Sequence, residues 1–337
     1  MRILVCEFVT GGGMPPDAPI PASLAREGDL MLRALVADLL EVPGVEVTVT
    51  RDARLPPLPP QTWSAPVRSI TVTDPRESWT LWEHLAREAE AVWPIAPETD
   101  GALERFSRMV EAAGRRLLNS RADAVAVASS KAATAAALSE AGLPVVPVRR
   151  VGTLGAGGPP WDGPWVVKPD DGAGCIETRL IHDRSEWDRW RGMADRSGFV
   201  VQPFQPGTPA SLSMLCRDGR AWLLTVNRQT ISLHDGSFAY GGGIVGGMVP
   251  SPALSGLAQG VAAALPSLFG YVGVDVIARP GGPMIVEINP RLTTSYAGLR
   301  RATGLNVAAA VLDLARDPPV PPKPVERTEP VLLTLEG

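Results

Sequence analysis

Two hydrophobic periods alternate along the first third of the chain. Residues 2–9 (RILVCEFV) form a short apolar run ending in Thr10-Gly11-Gly12-Gly13, which predicts a buried strand leaving through a loop. Leu30 to Leu40 carries apolar residues at helical spacing, and Val45–Val49 alternates as a strand does. The proline-rich stretch Arg54–Pro66 reads as a loop. Trp79–Ala91 is predicted to be helical, Ala91–Ile95 a strand and Asp100–Arg116 another helix. Strands alternating with helices over about 120 residues predict a small α/β layer on a parallel sheet.

A second unit begins near Ser129. Ser129 and Ser130 are placed to cap a helix over Lys131–Ala141, which Gly142 and Pro144 stop. A Gly/Pro-rich connector, Gly152–Pro164, precedes an apolar strand ending in Val166-Val167-Lys168-Pro169. Strand-like runs at 199–204, 211–216 and 221–226 lead to a glycine-rich segment at 241–247, expected to be a mobile cover like that at 172–174. Val272–Ala278 and Pro283–Ile288 read as two strands joined by a turn at Arg279–Gly282. Helical patterns at 295–303 and 305–315 and an extended proline-rich tail at 318–324 follow.

Composition narrows the function classes. At 337 residues, two or three domains are expected, and 45% hydrophobic residues suffice for a sizeable core. Gly and Pro, at 34 each, stay below the share that marks a low-complexity chain. The net charge is −4 and no Lys/Arg-rich run stands out, so nucleic acid is not an expected partner. The longest apolar stretches are broken by Lys131, Gln259 or Pro266 before they could cross a bilayer, so no membrane partner is expected either. Glu7 follows only four apolar residues, too early for a signal-peptide core. Cys6, Cys175 and Cys216 are odd in number, widely spaced and without a CxxC. They read as reduced thiols of a cytoplasmic protein.

The chemistry concentrates in a few segments. In Glu287-Ile288-Asn289-Pro290-Arg291, strand alternation points Glu287 and Asn289 to one face. Asp275 interrupts an otherwise apolar strand, and pairing through the 279–282 turn would let it face Glu287. Carboxylates so close repel unless a cation lies between them, and hard oxygen donors without His or Cys suit Mg²⁺. Lys131 opens a helix, and Lys168 ends an apolar strand before Pro169-Asp170-Asp171-Gly172-Ala173-Gly174. A lysine at a buried strand end needs an anionic partner, and the glycine loop lets backbone N–H groups approach phosphate oxygens. The segment is neither a P-loop nor a Rossmann fingerprint, for neither spacing occurs.

The order of these parts carries a resemblance. Ser130-Lys131 with its helix into AGLPVVP, then VVKPDDGAG, VQPFQPGTPAS, GVDVI and VEINPR, resembles the ATP-grasp superfamily of carboxylate–amine ligases over residues 129–303. The resemblance implies an α/β (α+β) ATP-grasp fold with an N-terminal parallel-sheet domain (1–120), a small lid (121–200), a central mixed-sheet domain (201–320) and a tail (321–337). It implies ATP bound by Lys131, Lys168, Gly172, Ala173 and Gly174, with Gln202, Pro203 and Phe204 in the hinge that reads adenine. Asp275, Glu287 and Asn289 would hold one or two Mg²⁺, with Mn²⁺ as a substitute. Arg291 would steady the transferred phosphoryl group or the substrate carboxylate, with Lys168 supplying further positive charge and Arg228 a further phosphate-binding cation. At Gln202 many members carry an acid for the ribose.

CEFVTGGG, IAPETDGAL and VNRQTI are further similar to the tyramine–L-glutamate ligases of methanofuran-type cofactor synthesis. That narrower resemblance implies L-glutamate, tyramine and ATP as small-molecule partners, with a homodimer compatible. Glu7 or Glu98 would serve near the amine, Tyr240 and Tyr296 near its phenol, and Arg300 near the amino-acid carboxylate. The alternatives are a ligase making another amino-acid conjugate and a catalytically silent nucleotide-binding module.

Overall fold

The computed structural model describes residues 1–58, 65–155, 157–172 and 174–334. Two sheets organise it. The first has five parallel strands in the order Arg68–Val72, Glu46–Asp52, Arg2–Glu7, Ala91–Ile95, Arg116–Leu117. Its central strand, Arg2–Glu7, is covered on both faces, which is why its sequence is continuously apolar. Ile3 and Val5 join the core of helix Ala22–Leu40, while Leu4 and Cys6 join Trp82, Leu85 and Phe106. Pro94 lies inside a strand of this sheet. Val92 accepts from Leu118 N on the same side, and the neighbouring strand Arg116–Leu117 stops there, so no ladder bond is lost at Pro94.

The helix Ala22–Leu40 begins eight residues before the predicted start, and Gly28 lies within it. A Cβ at Gly28 would stand 2.7 Å from Glu7 Cδ, so this glycine admits a buried carboxyl against the helix.

The second sheet is antiparallel. From one edge it runs Met284–Asn289, Gly270–Ala278, Thr208–Arg217, Arg220–His234, Ser237–Met248, Arg179–Ile181, Trp165–Pro169, Phe199–Pro203, Arg149–Arg150. The long hairpin Arg220–Met248 joins its two arms. At its tip Asp235 and Gly236 both take positive φ (48° and 75°), and Gly236 O accepts from Leu180 N at 2.8 Å.

The glycine-rich segment 241–247, expected to be a mobile cover, is instead part of strand Ser237–Met248. Its glycines serve close approach. A Cβ at Gly242 would lie 2.2 Å from Leu333 O, on the strand Val331–Thr334 that pairs here and that sequence periodicity did not reveal. Two helices, Pro252–Ala264 and Lys131–Glu140, cover the opposite face of the central strands through Leu138, Leu257 and Val261 against Leu212, Val274 and Ile288. Among the described residues no helix is long and apolar enough to cross a membrane.

Candidate active site

Strand alternation and one hairpin build the site. Gly270–Ala278 and Met284–Asn289 pair antiparallel, with Gly282 N bonded to Arg279 O at 3.0 Å in the turn. The register places Asp275 opposite Glu287 and Gly273 opposite Asn289, so both carboxylates and the amide share one face. Asn289 Nδ2 donates to Asp275 Oδ2 at 3.2 Å, and Gln229 Nε2 donates to Asp275 Oδ1 at 2.9 Å.

Two lysines reach the same spot from other elements. Lys131 opens its helix behind the Ser130 cap, whose Oγ accepts from Ala133 N at 3.0 Å. Asp170 ties that helix start to the strand end: it accepts from Ser130 Oγ (2.8 Å), Ala132 N (2.9 Å) and Arg150 Nη1 (2.7 Å). Lys131 Nζ thereby sits 3.7 Å, and Lys168 Nζ 3.5 Å, from Glu287 Oε2, with both lysine side chains 7% exposed. Lys131 Nζ also donates to Gly172 O.

The electrostatics follow from burial and crowding. Desolvation, reinforced by the facing Glu287, pushes the Asp275 carboxyl up to about 7. Desolvation raises Glu287 too, but Lys131 and Lys168 outweigh it and hold Glu287 below the ordinary carboxylate range. Burial lowers the Lys168 pKa, Glu287 raises it and Lys131 lowers it again, leaving it below the ordinary lysine value. Burial lifts the Cys175 thiol beside the cluster to about 11, so it stays protonated.

Glu98, from the first sheet, closes the cluster by pairing with Arg291, which follows strand Met284–Asn289 of the second. Glu98 follows strand Ala91–Ile95, at the carboxyl end of the parallel sheet, where α/β sheets gather ligands. Its Oε2 accepts from Arg291 Nε at 3.0 Å and Nη2 at 2.8 Å, and Arg291 Nη2 lies 3.4 Å from Asn289 Oδ1. A narrow cleft opens between the two sheets, lined among others by Glu98, Ser129, Lys131, Gly172, Glu287 and Asn289.

The donor set fits a hard divalent cation. Among the described residues no three His, Cys, Asp or Glu side chains converge as a cage. Two carboxylates and an amide are nonetheless what Mg²⁺ takes from protein when phosphates supply the remaining oxygens. Asp275, raised to about 7 by burial and by its neighbour's charge, is a group that a cation would relieve.

Other expected site residues lie elsewhere. Gln202 is buried in strand Phe199–Pro203, and its Nε2 has no partner; Pro203 pairs with Trp165, and Phe204 N donates to Pro164 O. Gly174 takes φ 66° in the loop beside Cys175, and Ala173 lies outside the described residues. Arg228 is exposed and shares a strand face with Ala210 and Val276, opposite the face of Asp275, so the structure does not bring it to the carboxylates. Glu7 is buried away from the cleft, its Oε2 accepting from Thr10 N and Oγ1, and desolvation raises it to about 7. Tyr296 and Arg300 instead join the two layers: Tyr296 Oη donates to Asp38 Oδ2 at 2.9 Å, and Arg300 pairs with Asp38 and Glu41. Tyr240 Oη lies 3.0 Å from Thr294 Oγ1.

Sequence reasoning missed Gln229, Asp170 and Glu27. Gln229 stood in VNRQTI beside Arg228, and alternation would have selected it once the register was known. Glu27 is half-buried, with its pKa raised by burial and opposed by the charge of Arg291. Behind the site, Asn227 Nδ2 donates to Ser213 Oγ (2.9 Å) and Ser211 Oγ (3.2 Å), a buried polar row continued by Tyr271 and Thr293.

Comparison with known proteins agrees with this geometry. An ATP-grasp domain model matches residues 128–295, and a pre-ATP-grasp domain model matches residues 45–125. The tyramine–L-glutamate ligase of Methanocaldococcus jannaschii is 28% identical over 211 residues, covering 61% of this chain; the match spans 57% of that ligase's length. An ATP-grasp superfamily protein from Archaeoglobus fulgidus superposes with TM-score 0.70 at 22% identity, covering 98% of this chain and 91% of its own. The L-amino acid ligase of Bacillus licheniformis superposes with TM-score 0.69 at 18% identity, covering 93% and 73% respectively. With an antiparallel sheet that gathers two lysines and two strand carboxylates, set against a parallel-sheet domain, the chain belongs to the ATP-grasp family.

Proposed function

We propose that the protein is an ATP-dependent ligase that activates a carboxylate as its acyl phosphate and joins it to an amine. L-Glutamate is the proposed acid and tyramine the proposed amine. The observation that carries the reading is Asp275 facing Glu287 across a hairpin while Lys131 and Lys168 converge on the same carboxylate. That set balances negative groups suited to a cation against positive groups suited to phosphate oxygens. The name and 28% identity of the archaeal relative support the choice of acid and amine.

In this reading Lys131 and Lys168 hold nucleotide phosphates, and the loop at Gly172 brings backbone close to them. Gln202, with its unpartnered Nε2, offers a buried donor to the nucleotide. Asp275, Glu287 and Asn289 would hold Mg²⁺, which when bound would neutralise charge on the phosphates. Arg291, pinned by Glu98, stands beside Asn289 to receive the transferred phosphoryl group or the substrate carboxylate. The γ-phosphoryl passes to a carboxylate oxygen and ADP leaves. The amine, once its ammonium proton has passed to a nearby carboxylate or to solvent, attacks the acyl carbon, and inorganic phosphate departs. No protein nucleophile is required, so the chain's contribution is positioning and electrostatic stabilisation.

The test is to incubate the protein with Mg-ATP, L-glutamate and tyramine and to measure ADP, phosphate and the conjugate by mass. The Glu287→Gln variant is expected to bind nucleotide and to lose phosphoryl transfer by about 10²–10³-fold, the usual effect of removing one preorganised charge. Full activity in that variant would overturn the metal assignment. Tight ATP binding with no product from any acid–amine pair would favour a silent nucleotide-binding module.

A further inference from the structure

Among the described residues, one carboxylate oxygen lining the cleft has no hydrogen-bond donor. Glu98 is 5% exposed, and its two carboxylate oxygens are in unequal situations. Oε2 takes two donors from Arg291, whereas Oε1 is buried with no hydrogen-bond partner. A buried acceptor on a charged group without a donor is costly, and native structures seldom keep one unless an ordered water, an ion or a ligand completes it. Glu98 also lines the cleft that contains Glu287, Asn289 and Lys131.

The place of Glu98 is held from several directions. Its charge cannot swing away, because Arg291 grips Oε2 with two nitrogens. The turn after it touches the glycine loop, with Asp100 N donating to Asp171 Oδ2 at 3.3 Å and Thr99 Oγ1 to Asp171 O at 3.5 Å. Glu98 thus lines the cleft beside Glu287, Asn289 and Lys131, and Oε1 is the oxygen that Arg291 leaves without a donor. The missing partner must be a donor. Phosphates and carboxylates, which offer only acceptors when ionised, do not fit it, whereas an ammonium group supplies both donor protons and the opposite charge.

We propose that Glu98 Oε1 is the acceptor for a primary ammonium group of a substrate and so selects charged amines over neutral nucleophiles. The proposal rests on the ligase reading, since it assigns part of that same cleft. Two sources of the ammonium share this chemistry, the α-ammonium of the amino acid and the incoming amine.

Glu98→Gln separates them. It keeps the side-chain length and a carbonyl for Arg291 but removes the charge. Activity is measured with L-glutamate and either tyramine or hydroxylamine, which is uncharged at neutral pH. If Oε1 holds the incoming amine, KM for tyramine rises by roughly 10–100-fold more than KM for hydroxylamine, the range of a charge-assisted hydrogen bond. If it holds the α-ammonium, KM for glutamate rises by that factor with both nucleophiles, while glutarate, which lacks the ammonium, shows no such rise. Glu98→Asp, which keeps the charge, is expected to keep the preference for the ammonium. Equal losses for charged and neutral substrates would overturn the proposal and leave Glu98 as a clamp for Arg291 alone. Calorimetric titration of glutamate and tyramine into both proteins gives the same comparison without turnover. A wild-type protein that forms no ADP thus counts against the ligase reading, and one that binds neither ammonium compound counts against Glu98.

Discussion

Replacing Asp275 by Asn should stabilise the fold while destroying the chemistry, and the size of the effect can be worked out. The Asp275 carboxyl rises from the ordinary 3.8 to about 7 because it is desolvated and faces Glu287. A shift of that size corresponds to about 4 kcal/mol of penalty on the charged form. Asn removes that penalty. Against it, the new amide places a donor where Gln229 Nε2 or Asn289 Nδ2 now donates, which costs about 1–3 kcal/mol. The charge term wins, and net stabilisation of about 1–3 kcal/mol is expected above pH 7 in the absence of nucleotide and divalent cation.

The sign carries a pH signature. A carboxyl whose folded pKa lies above its unfolded value penalises the folded state at high pH, and the penalty fades as pH falls through about 7 towards 3.8. The variant should therefore melt several degrees higher than wild type at about pH 9. The difference should shrink on acidification and reverse at about pH 4, where only the altered hydrogen bond remains. Thermal unfolding with a chelator present, across that range, is the assay. A variant less stable than wild type at high pH, or a difference that ignores pH, would refute the reasoning that these two carboxylates oppose one another. In the full reaction the same variant is expected to lose about 10²–10³ in turnover.

Lys168→Met retains the stem and removes the ammonium, so KM for ATP should rise about 10–100-fold with a smaller change for the other substrates; an unchanged KM would remove Lys168 from the nucleotide. Because burial, with Lys131 adding to it, lowers the Lys168 pKa, nucleotide affinity in the wild type should weaken with rising pH earlier than for an ordinary lysine, and isothermal titration of the variant should show that weakening reduced. Gly28→Ala sets a helix-propensity gain of about 1 kcal/mol against overpacking of about 1–3 kcal/mol, since the new methyl would meet Glu7 Cδ at 2.7 Å. A net loss of up to about 2 kcal/mol in thermal unfolding is expected, and a gain in melting temperature would show that Glu7 yields freely.

Much of this molecule could be read from the chain alone, because the signals involved are local. The apolar run Ile3–Cys6, the helix behind Ser130 and the hairpin around Gly282 follow from period, cap and turn. The facing of Asp275 and Glu287 follows from counting residues across one short turn. The family order of lysines and carboxylates was likewise legible as sequence. Other features depended on contacts between distant segments. The glycines at 241–247 looked like a mobile cover, yet they lie in a strand, where Gly242 leaves room for Leu333 O of Val331–Thr334 and Gly243 for Arg228 O of the neighbouring strand. Arg228 and Gln229 are neighbours of equal promise in the sequence, and only the register with Thr208–Arg217 and Gly270–Ala278 sends Gln229 to Asp275 and Arg228 away.

Tyr296 and Arg300 had the chemistry for a substrate site but found Asp38 on a helix more than 250 residues away. Glu98 and Arg291, 193 positions apart, became a pair for the same reason. Short-range geometry and alternation are properties of the covalent chain and survive as sequence patterns. Which polar group meets which across two sheets is settled only when burial forces each buried donor and acceptor to find a partner.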